Sequence, residues 1–272
     1  MSTLPPGSQD NPYGAPAAPV SDTVGTAAGV VERGRVLSPL RGFGWYGEAW
    51  RLFTVSPWAW IGIWLLFFLC VAVLSIVPLL GFIANALAGP IFIGGVMLAA
   101  RSAERSGVVP VGQLFAAFGS HAGPLALLGI LQLVAWIVIM IIGGLAGATL
   151  VFSTIGIAGS TAPTGPADLF SRTWLPLLGM GLLVAIIYLP VAYATWFAAA
   201  LVTQNDVPAV DALRMGFVGT FRNVLPLLVF LLCAAVLAVL ASLPLLLGWF
   251  VLGPLFLCAL YVQYREIFAA AS

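Results

Sequence analysis

Few residues of this 272-residue chain could take part in catalysis or bind a metal ion. Its single histidine, His121, follows Gly119-Ser120 and has no acidic residue or cysteine nearby in the sequence. Because a catalytic base needs a partner that orients it, we expect His121 to be an interface residue. The three cysteines, Cys70, Cys233 and Cys258, lie inside apolar stretches without the spacing of a zinc site. They are therefore predicted to act as small hydrophobic residues.

Two acid–arginine pairs are the other candidates for chemistry. Glu48 precedes Arg51 by three residues, and Asp211 precedes Arg214 by three. This spacing lets two side chains meet on one face of a helix, so both pairs are predicted to form solvated helix faces. The chain has no HExxH motif, no Gly-Lys phosphate loop and no paired carboxylates in its apolar stretches. The sequence therefore predicts a protein that is not an enzyme and holds no metal or cofactor.

The composition of the chain predicts the class of protein to which these residues belong. The chain is 62% hydrophobic and only 7% charged, whereas an ordinary soluble domain is about 25% charged. A net charge of +1 provides no basic surface for nucleic acid. The sequence thus predicts an integral membrane protein. Six stretches are free of Asp, Glu, Lys and Arg and reach the roughly 20 residues that a spanning helix needs: Pro57–Val77, Gly81–Ala100, Gly123–Phe152, Trp174–Val202, Val224–Leu243 and Leu245–Tyr264.

Continuous apolar runs favour helices over a β-barrel, whose strands alternate between apolar and polar residues. An alternative reading splits the third stretch at Gly143-Gly144 into two spans. With six spans, Arg172 is the only one of ten arginines in a connection on the opposite side. Arginine-rich connections stay in the cytoplasm, so both termini are predicted to be cytoplasmic. Ser153–Arg172 is predicted to be the one long outside loop.

The ends of the chain differ from its apolar centre. Residues 1–36 are rich in Pro, Ala, Gly and Ser, and such a segment cannot bury enough apolar surface to offset the entropy of ordering it. We therefore predict a disordered cytoplasmic tail over residues 1–36, a transmembrane helical domain over residues 37–268, and a short C-terminal tail over residues 269–272.

A short amphipathic stretch precedes every second span. Its apolar residues recur at helical spacing, and a proline then opens the following span at Pro57, Pro124 and Pro226. We predict an interfacial helix at each stretch, lying at the membrane surface and turning the chain into the bilayer. The residues predicted to form the apolar, docking face of the second and third of these interfacial helices are Leu114, Phe115, Phe118, Leu213, Phe217 and Phe221.

These stretches also mark a threefold repeat of interfacial helix, span, turn and kinked span. The predicted copies are residues 42–107, 108–206 and 207–268. In each copy a proline interrupts the second span: Pro90, Pro190 and Pro254. Such kinks either expose backbone carbonyls to a cavity or hinge, or simply shape helix packing, and the second interpretation is favoured because no charged residue accompanies them.

The motifs resemble a family of uncharacterised bacterial inner-membrane proteins between about Gly44 and Glu266. The segments that carry the resemblance are Trp50-Arg51-Leu52-Phe53, Pro78-Leu79-Leu80-Gly81, Gly89-Pro90, Gly94-Gly95, Met97–Arg101, Gln113-Leu114-Phe115, Ala212-Leu213 and Arg222-Asn223. Such relatives often carry an acid where this chain has Gln113. The chain is also distantly similar to YciC-type membrane proteins. The resemblance implies a helical protein of the Gram-negative inner membrane and brings no established activity.

The predicted fold is an all-α polytopic bundle of six spans with interfacial elbow helices. The first functional hypothesis is a non-enzymatic membrane scaffold, assembly factor or regulatory partner, which contacts the bilayer and other membrane proteins or a second copy of itself. The alternative is a passive channel or small transporter lined by the proline-kinked even-numbered spans. A third hypothesis, favoured least, is a lipid-modifying enzyme that uses Glu48, Asp211 and His121 at the interface.

Overall fold

The computed structural model describes residues 30–154 and 164–269, and the regular elements in these ranges are all helices. Six helices are long and apolar enough to cross a membrane. They are α2 (Pro57–Leu74), α3 (Leu80–Ser106), α5 (Ala122–Thr154), α6 (Pro166–Asn205), α8 (Val224–Ser242) and α9 (Trp249–Phe268). The predicted fold class, an all-α polytopic bundle with six spans, is confirmed.

The long third and fourth spans differ from their predicted bounds. Helix α5 runs unbroken through Gly143-Gly144, so the alternative with two spans there is wrong. Helix α6 begins at Pro166, inside the predicted outside loop, because proline suits the first turn of a helix. In the first two turns of α6, Arg172 Nε lies 2.6 Å from Asp168 Oδ1. Residues 155–163 of the predicted loop lie outside the described residues.

Helix α6 is longer than a membrane span requires. Its 40 residues give a length of about 60 Å, which is about twice the thickness of the hydrocarbon core of a bilayer.

Three short helical segments precede the odd-numbered spans, as predicted. They are α1 (Arg41–Val55), a 3-10 helix (Val111–Phe115) that continues into α4 (Ala116–Ser120), and α7 (Ala209–Arg222). We refer to these three segments as the elbow helices. Each packs against the second span of a different predicted copy: α1 against α9, the 3-10 helix and α4 against α3, and α7 against α6. Together they join the three hairpins at the arginine-bearing end of the bundle.

Glycine allows this close packing. A Cβ atom on Gly95 of α3 would overlap the carbonyl oxygen of Leu114 in the second elbow helix. On α7, a Cβ atom at Gly216 would overlap the carbonyl oxygen of Ala194 in α6. Small residues are the usual means by which membrane helices bring their backbones together. The second elbow helix and α7 are therefore held against the bundle by backbone contact.

The docking faces of the elbow helices differ from the predicted ones. In α7 the buried residues are small ones such as Ala212 and Gly216, whereas Leu213 and Phe217 are half-buried and Phe221 is 61% exposed. Large side chains were expected on the docking side, but the close backbone approach leaves no room for them there.

The second elbow helix shows a related difference. Leu114 is fully buried, while Phe115 and Phe118 are exposed on one side and contact the ring of Phe92 on the other. The prediction assumed α-helical spacing throughout, but Val111–Phe115 is a 3-10 helix with three residues per turn. The side chains of α4 therefore point in directions different from those that α-helical spacing predicts.

The chain before α1 is bound to the same end of the bundle. Val31 N–H donates to Phe268 O at 2.8 Å, and Arg35 N–H donates to Ile267 O at 2.8 Å. The fully buried Asn223 side chain accepts a hydrogen bond from Leu37 N–H at 2.9 Å and donates one to Arg35 O at 2.8 Å. Residues 30–36 are thus ordered against the bundle, which corrects this part of the predicted tail. Residues 1–29 and 270–272 lie outside the described residues.

Candidate functional site

An ion-pair network occupies the arginine-bearing end of the bundle. Glu48 on α1 forms an ion pair with Arg41. Its Oε2 atom also lies 2.6 Å from Nη2 of Arg265 on α9. Arg265 also pairs with Glu104 at the end of α3, and Arg41 Nε donates to Glu266 Oε2 at 2.8 Å. The predicted pairing of Glu48 with Arg51 on a solvated face is therefore wrong, because α1 packs against α9 and directs Glu48 to the arginine there.

Aromatic side chains complete the network. Trp45 Nε1 donates to Glu266 at 2.9 Å, and the Tyr261 hydroxyl donates to Glu104 at 2.6 Å. Hydrogen bonding to Glu266 raises the pKa of the Arg41 guanidinium above its usual value, although partial burial opposes this rise. Because both arginines and all three carboxylates are paired, the arrangement ties α1, α3 and α9 together.

The second predicted pair is arranged differently. Asp211 and Arg214 are both exposed on α7, as is Arg51 on α1. Within the part of the chain that the structure describes, these three residues form no ion pair. Their positions fit the solvated helix faces that the sequence predicted, and they do not converge with Glu48 in one pocket.

His121 has a partner that the sequence did not reveal. Its Nε2 lies 3.0 Å from Asp206 Oδ1, and its Nδ1 lies 2.7 Å from Ser120 Oγ. Asp206 comes 85 positions later in the chain, so local spacing could not find it. The Asp206 side chain is 88% exposed, and Ser120 Oγ also donates to Ala116 O at 3.2 Å. This group is on the surface and lacks the enclosed environment that favours catalysis.

A cavity of about 500 Å³ lies at the centre of the bundle, between all six spans. One lining residue from each span, in chain order, is Phe67, Pro90, Trp136, Tyr193, Phe230 and Leu260. Of the three predicted cavity or hinge prolines, Pro90 lines the cavity. Pro190 and Pro254 are each two residues from a lining residue, Tyr188 and Phe256 respectively.

Amides are the main polar groups of this cavity. Gln132 Nε2 donates to the Tyr188 hydroxyl at 3.5 Å, and Asn85 Nδ2 donates to Gly81 O at 2.9 Å. The Gln263 side chain is buried to 1% exposure, and neither of its amide atoms has a hydrogen-bond partner among the described residues. The described residues that line the cavity include no Asp, Glu, Lys or Arg.

Gln263 is the functional candidate that sequence analysis missed. Aligning the three predicted copies on Pro90, Pro190 and Pro254 places Ala99 and Ala199 at the position of Gln263, nine residues after each proline. Both alanines are fully buried. The signal available in the sequence was a glutamine at a position where the other two copies have alanine.

Along α3 and α6, tightly packed residues separate the central cavity from the arginine-bearing end. On α3 the cavity wall reaches Ile93, residues 96–97 and 99–100 are buried, and a second, polar cavity of about 640 Å³ begins at Arg101. On α6 the buried residues 197–203 occupy the same interval. The two cavities are thus separated along α3 and α6, whereas on α9 their walls adjoin, because Gln263 lines the central cavity and Tyr261 and Tyr264 line the second one.

Comparison with known proteins agrees with this architecture. Over 193 residues the chain is 30% identical to a protein of Burkholderia thailandensis described as a probable inner membrane protein, and the match covers 69% of each chain. The chain therefore belongs to the same family of inner-membrane proteins as this relative. The description of this relative agrees with the inner-membrane location that the sequence predicted, and with six spans the protein is a multi-pass inner-membrane protein. No family model and no solved structure matches the chain. The link to YciC-type proteins and the cytoplasmic placement of the termini stay predictions.

Proposed function

We propose that the protein is a non-enzymatic component of the inner membrane that acts through contacts, as a scaffold, assembly factor or regulatory partner. The observation that carries this proposal is the rigid arrangement of the three elbow helices at one end of the bundle. Backbone contacts at Gly95 and Gly216 hold two of them, and the network around Glu48 holds the third.

The outer surface of the elbow helices is suited to such contacts. Phe43 and Trp50 on α1 and Phe221 on α7 are all exposed, although the helices that carry them are firmly docked. Exposed aromatic side chains on amphipathic helices insert into the membrane interface or meet a partner there. In our proposal the partners are the bilayer together with another membrane protein or a second copy of this chain.

Photo-crosslinking in native membranes tests the proposal. We expect a benzoylphenylalanine residue at Phe43 or Phe221 to form discrete protein adducts, which mass spectrometry then identifies. The control is the same residue at Val236, which is equally exposed in the middle of α8 and should react with lipid alone. The proposal would be rejected if the elbow positions gave the same lipid adducts as Val236.

The central cavity favours a second candidate, a passive channel or small transporter. All six spans line the cavity, and Pro90 is part of its wall. For this candidate, proteoliposomes containing the protein should pass an uncharged solute such as glycerol faster than empty liposomes. Ala234→Trp places a bulky ring in the cavity and should reduce this flux at least tenfold, whereas Ala235→Trp on the exposed side of α8 should not. Equal flux with and without the protein would exclude the candidate.

A further inference from the structure

The unpaired amide of Gln263 is an unusual feature for the interior of a membrane bundle. Its Nε2 and Oε1 are both buried without a partner among the described residues, and the side chain lines the central cavity. Buried polar atoms in proteins are nearly always hydrogen-bonded, because an unpaired one loses its hydrogen bonds with water and gains no replacement within the protein. The amide can therefore form hydrogen bonds with a molecule that occupies the cavity.

The amide also restricts the chemistry of that ligand. Gln263 presents a donor and an acceptor side by side, and a hydroxyl group can accept from the one and donate to the other. Asn85 Oδ1, another buried acceptor on the same cavity wall, is likewise unpaired. A charged group would find no counter-ion here, since the described lining residues carry none. The ligand should be neutral and should carry at least one hydroxyl group.

The rest of the wall fits a hydrocarbon chain. Aromatic side chains from all six spans surround the space, among them Phe67, Trp136, Tyr193 and Phe256. A volume of about 500 Å³ is in the range of small-molecule sites. Water molecules need two to four polar partners each, and the few amides provide too few partners for water to fill the whole space.

Two of the helices that line this space, α6 and α8, are not packed along each other in the described ranges. Helix α8 packs against α1, α7 and α9, and α6 packs against α3, α5, α7 and α9. Both helices nevertheless line the cavity, α6 through Tyr188 and Tyr193 and α8 through Leu231 and Ala234. A molecule dissolved in the membrane can therefore enter between α6 and α8.

From these observations we propose that the central cavity binds one neutral, hydroxyl-bearing lipid taken from the bilayer. Its hydroxyl group binds the Gln263 amide, and its hydrocarbon chain lies between the aromatic rings. This site does not depend on the proposed scaffold function, because none of its residues belongs to the elbow helices.

The test uses the full-length protein in phosphatidylcholine nanodiscs with two photoreactive probes. One is a diazirine-bearing hexadecanol, and the other is the corresponding alkane without the hydroxyl group. We expect the alcohol to label peptides of α6, α8 and α9 that line the cavity. Gln263→Leu, which keeps the side-chain volume, should lower labelling by the alcohol about fivefold to tenfold and leave labelling by the alkane unchanged.

A matched pair of cavity variants shows where the probe binds. Ala234→Trp fills the cavity and should abolish labelling of the lining peptides, whereas Ala235→Trp, one residue along on the exposed side of α8, should retain it. Thermal unfolding gives an independent measurement that also reports folding. Gln263→Leu should raise the unfolding temperature without the alcohol, because it removes an unpaired buried amide, and the alcohol should then stabilise only the wild type.

The results that overturn the proposal are equally distinct. Equal labelling of wild type and Gln263→Leu by the alcohol would show that the amide does not bind the hydroxyl group. Labelling that persists in a folded Ala234→Trp variant would place the probe on the outer surface. If Ala234→Trp does not fold, the comparison with Gln263→Leu decides alone. Lipids that copurify with the wild type, identified by mass spectrometry, then distinguish an acylglycerol from a long-chain alcohol as the natural source.

Discussion

Gly95→Ala is expected to prevent the second elbow helix from docking and to reduce the amount of protein in the membrane severely. The added methyl group would overlap the carbonyl oxygen of Leu114, which is itself fully buried. Neither backbone can move away easily, because Gly95 is inside the long helix α3 and Leu114 is held in a 3-10 helix. Forced overpacking of this kind costs about 3 kcal/mol. The checks are the amount of protein in isolated membranes and the thermal unfolding temperature in detergent.

Gly144→Ala in the long helix α5 is the control. A Cβ atom there would meet no neighbouring element within 4 Å, and alanine favours a helix over glycine by about 1 kcal/mol. This variant should therefore be as stable as the wild type or slightly more stable. If Gly95→Ala behaved like Gly144→Ala, the close packing between α3 and the second elbow helix would be contradicted.

The spans were predictable because their signal is local. A run of about 20 apolar residues without charge has few alternatives to a spanning helix, and the structure places six helices on the six predicted runs. Their ends were less predictable, because turns such as the one before Trp249 are as apolar as the helices they join. The elbow helices were found in the same way, from apolar residues at helical spacing.

The contacts between helices were not predictable from that spacing. On α7 the sequence pointed to Phe217 and Phe221, but packing selected Ala212 and Gly216 because backbones approach closely there. A hydrophobic pattern shows which side of a helix avoids water, and inside a membrane both the lipid-facing side and the packed side do so.

The candidate site depends on contacts that are distant in the chain. Glu48 meets an arginine 217 positions away, and His121 meets an aspartate 85 positions away. No local motif encodes such pairs, so the sequence identified the ionisable residues and assigned some of them the wrong partners. Gln263 stood out only against the corresponding residues of the other copies, a comparison that depends on the predicted repeat.

Glu266→Gln is expected to loosen the junction between α1 and α9. The carboxylate binds Arg41 through both of its oxygens and also accepts a hydrogen bond from Trp45. A neutral amide leaves the guanidinium with one charged partner, Glu48, in a setting where Glu266 is only 15% exposed. Breaking buried ion pairs costs about 3–5 kcal/mol and exposed ones less than about 1. We expect a loss of about 2–3 kcal/mol in the free energy of unfolding, measured by thermal unfolding in detergent.

A double-mutant cycle separates the ion pair from other effects of the substitution. Arg41→Gln alone should destabilise the protein to a similar degree, and the double variant should be about 1–2 kcal/mol more stable than the sum of the two single effects predicts. Asp211→Asn, at an exposed carboxylate without an ion pair among the described residues, should change stability by less than about 0.5 kcal/mol. Strictly additive effects of Glu266→Gln and Arg41→Gln would show that the pair does not hold α1 on α9, and the docking of α1 would then rest on its apolar contacts alone.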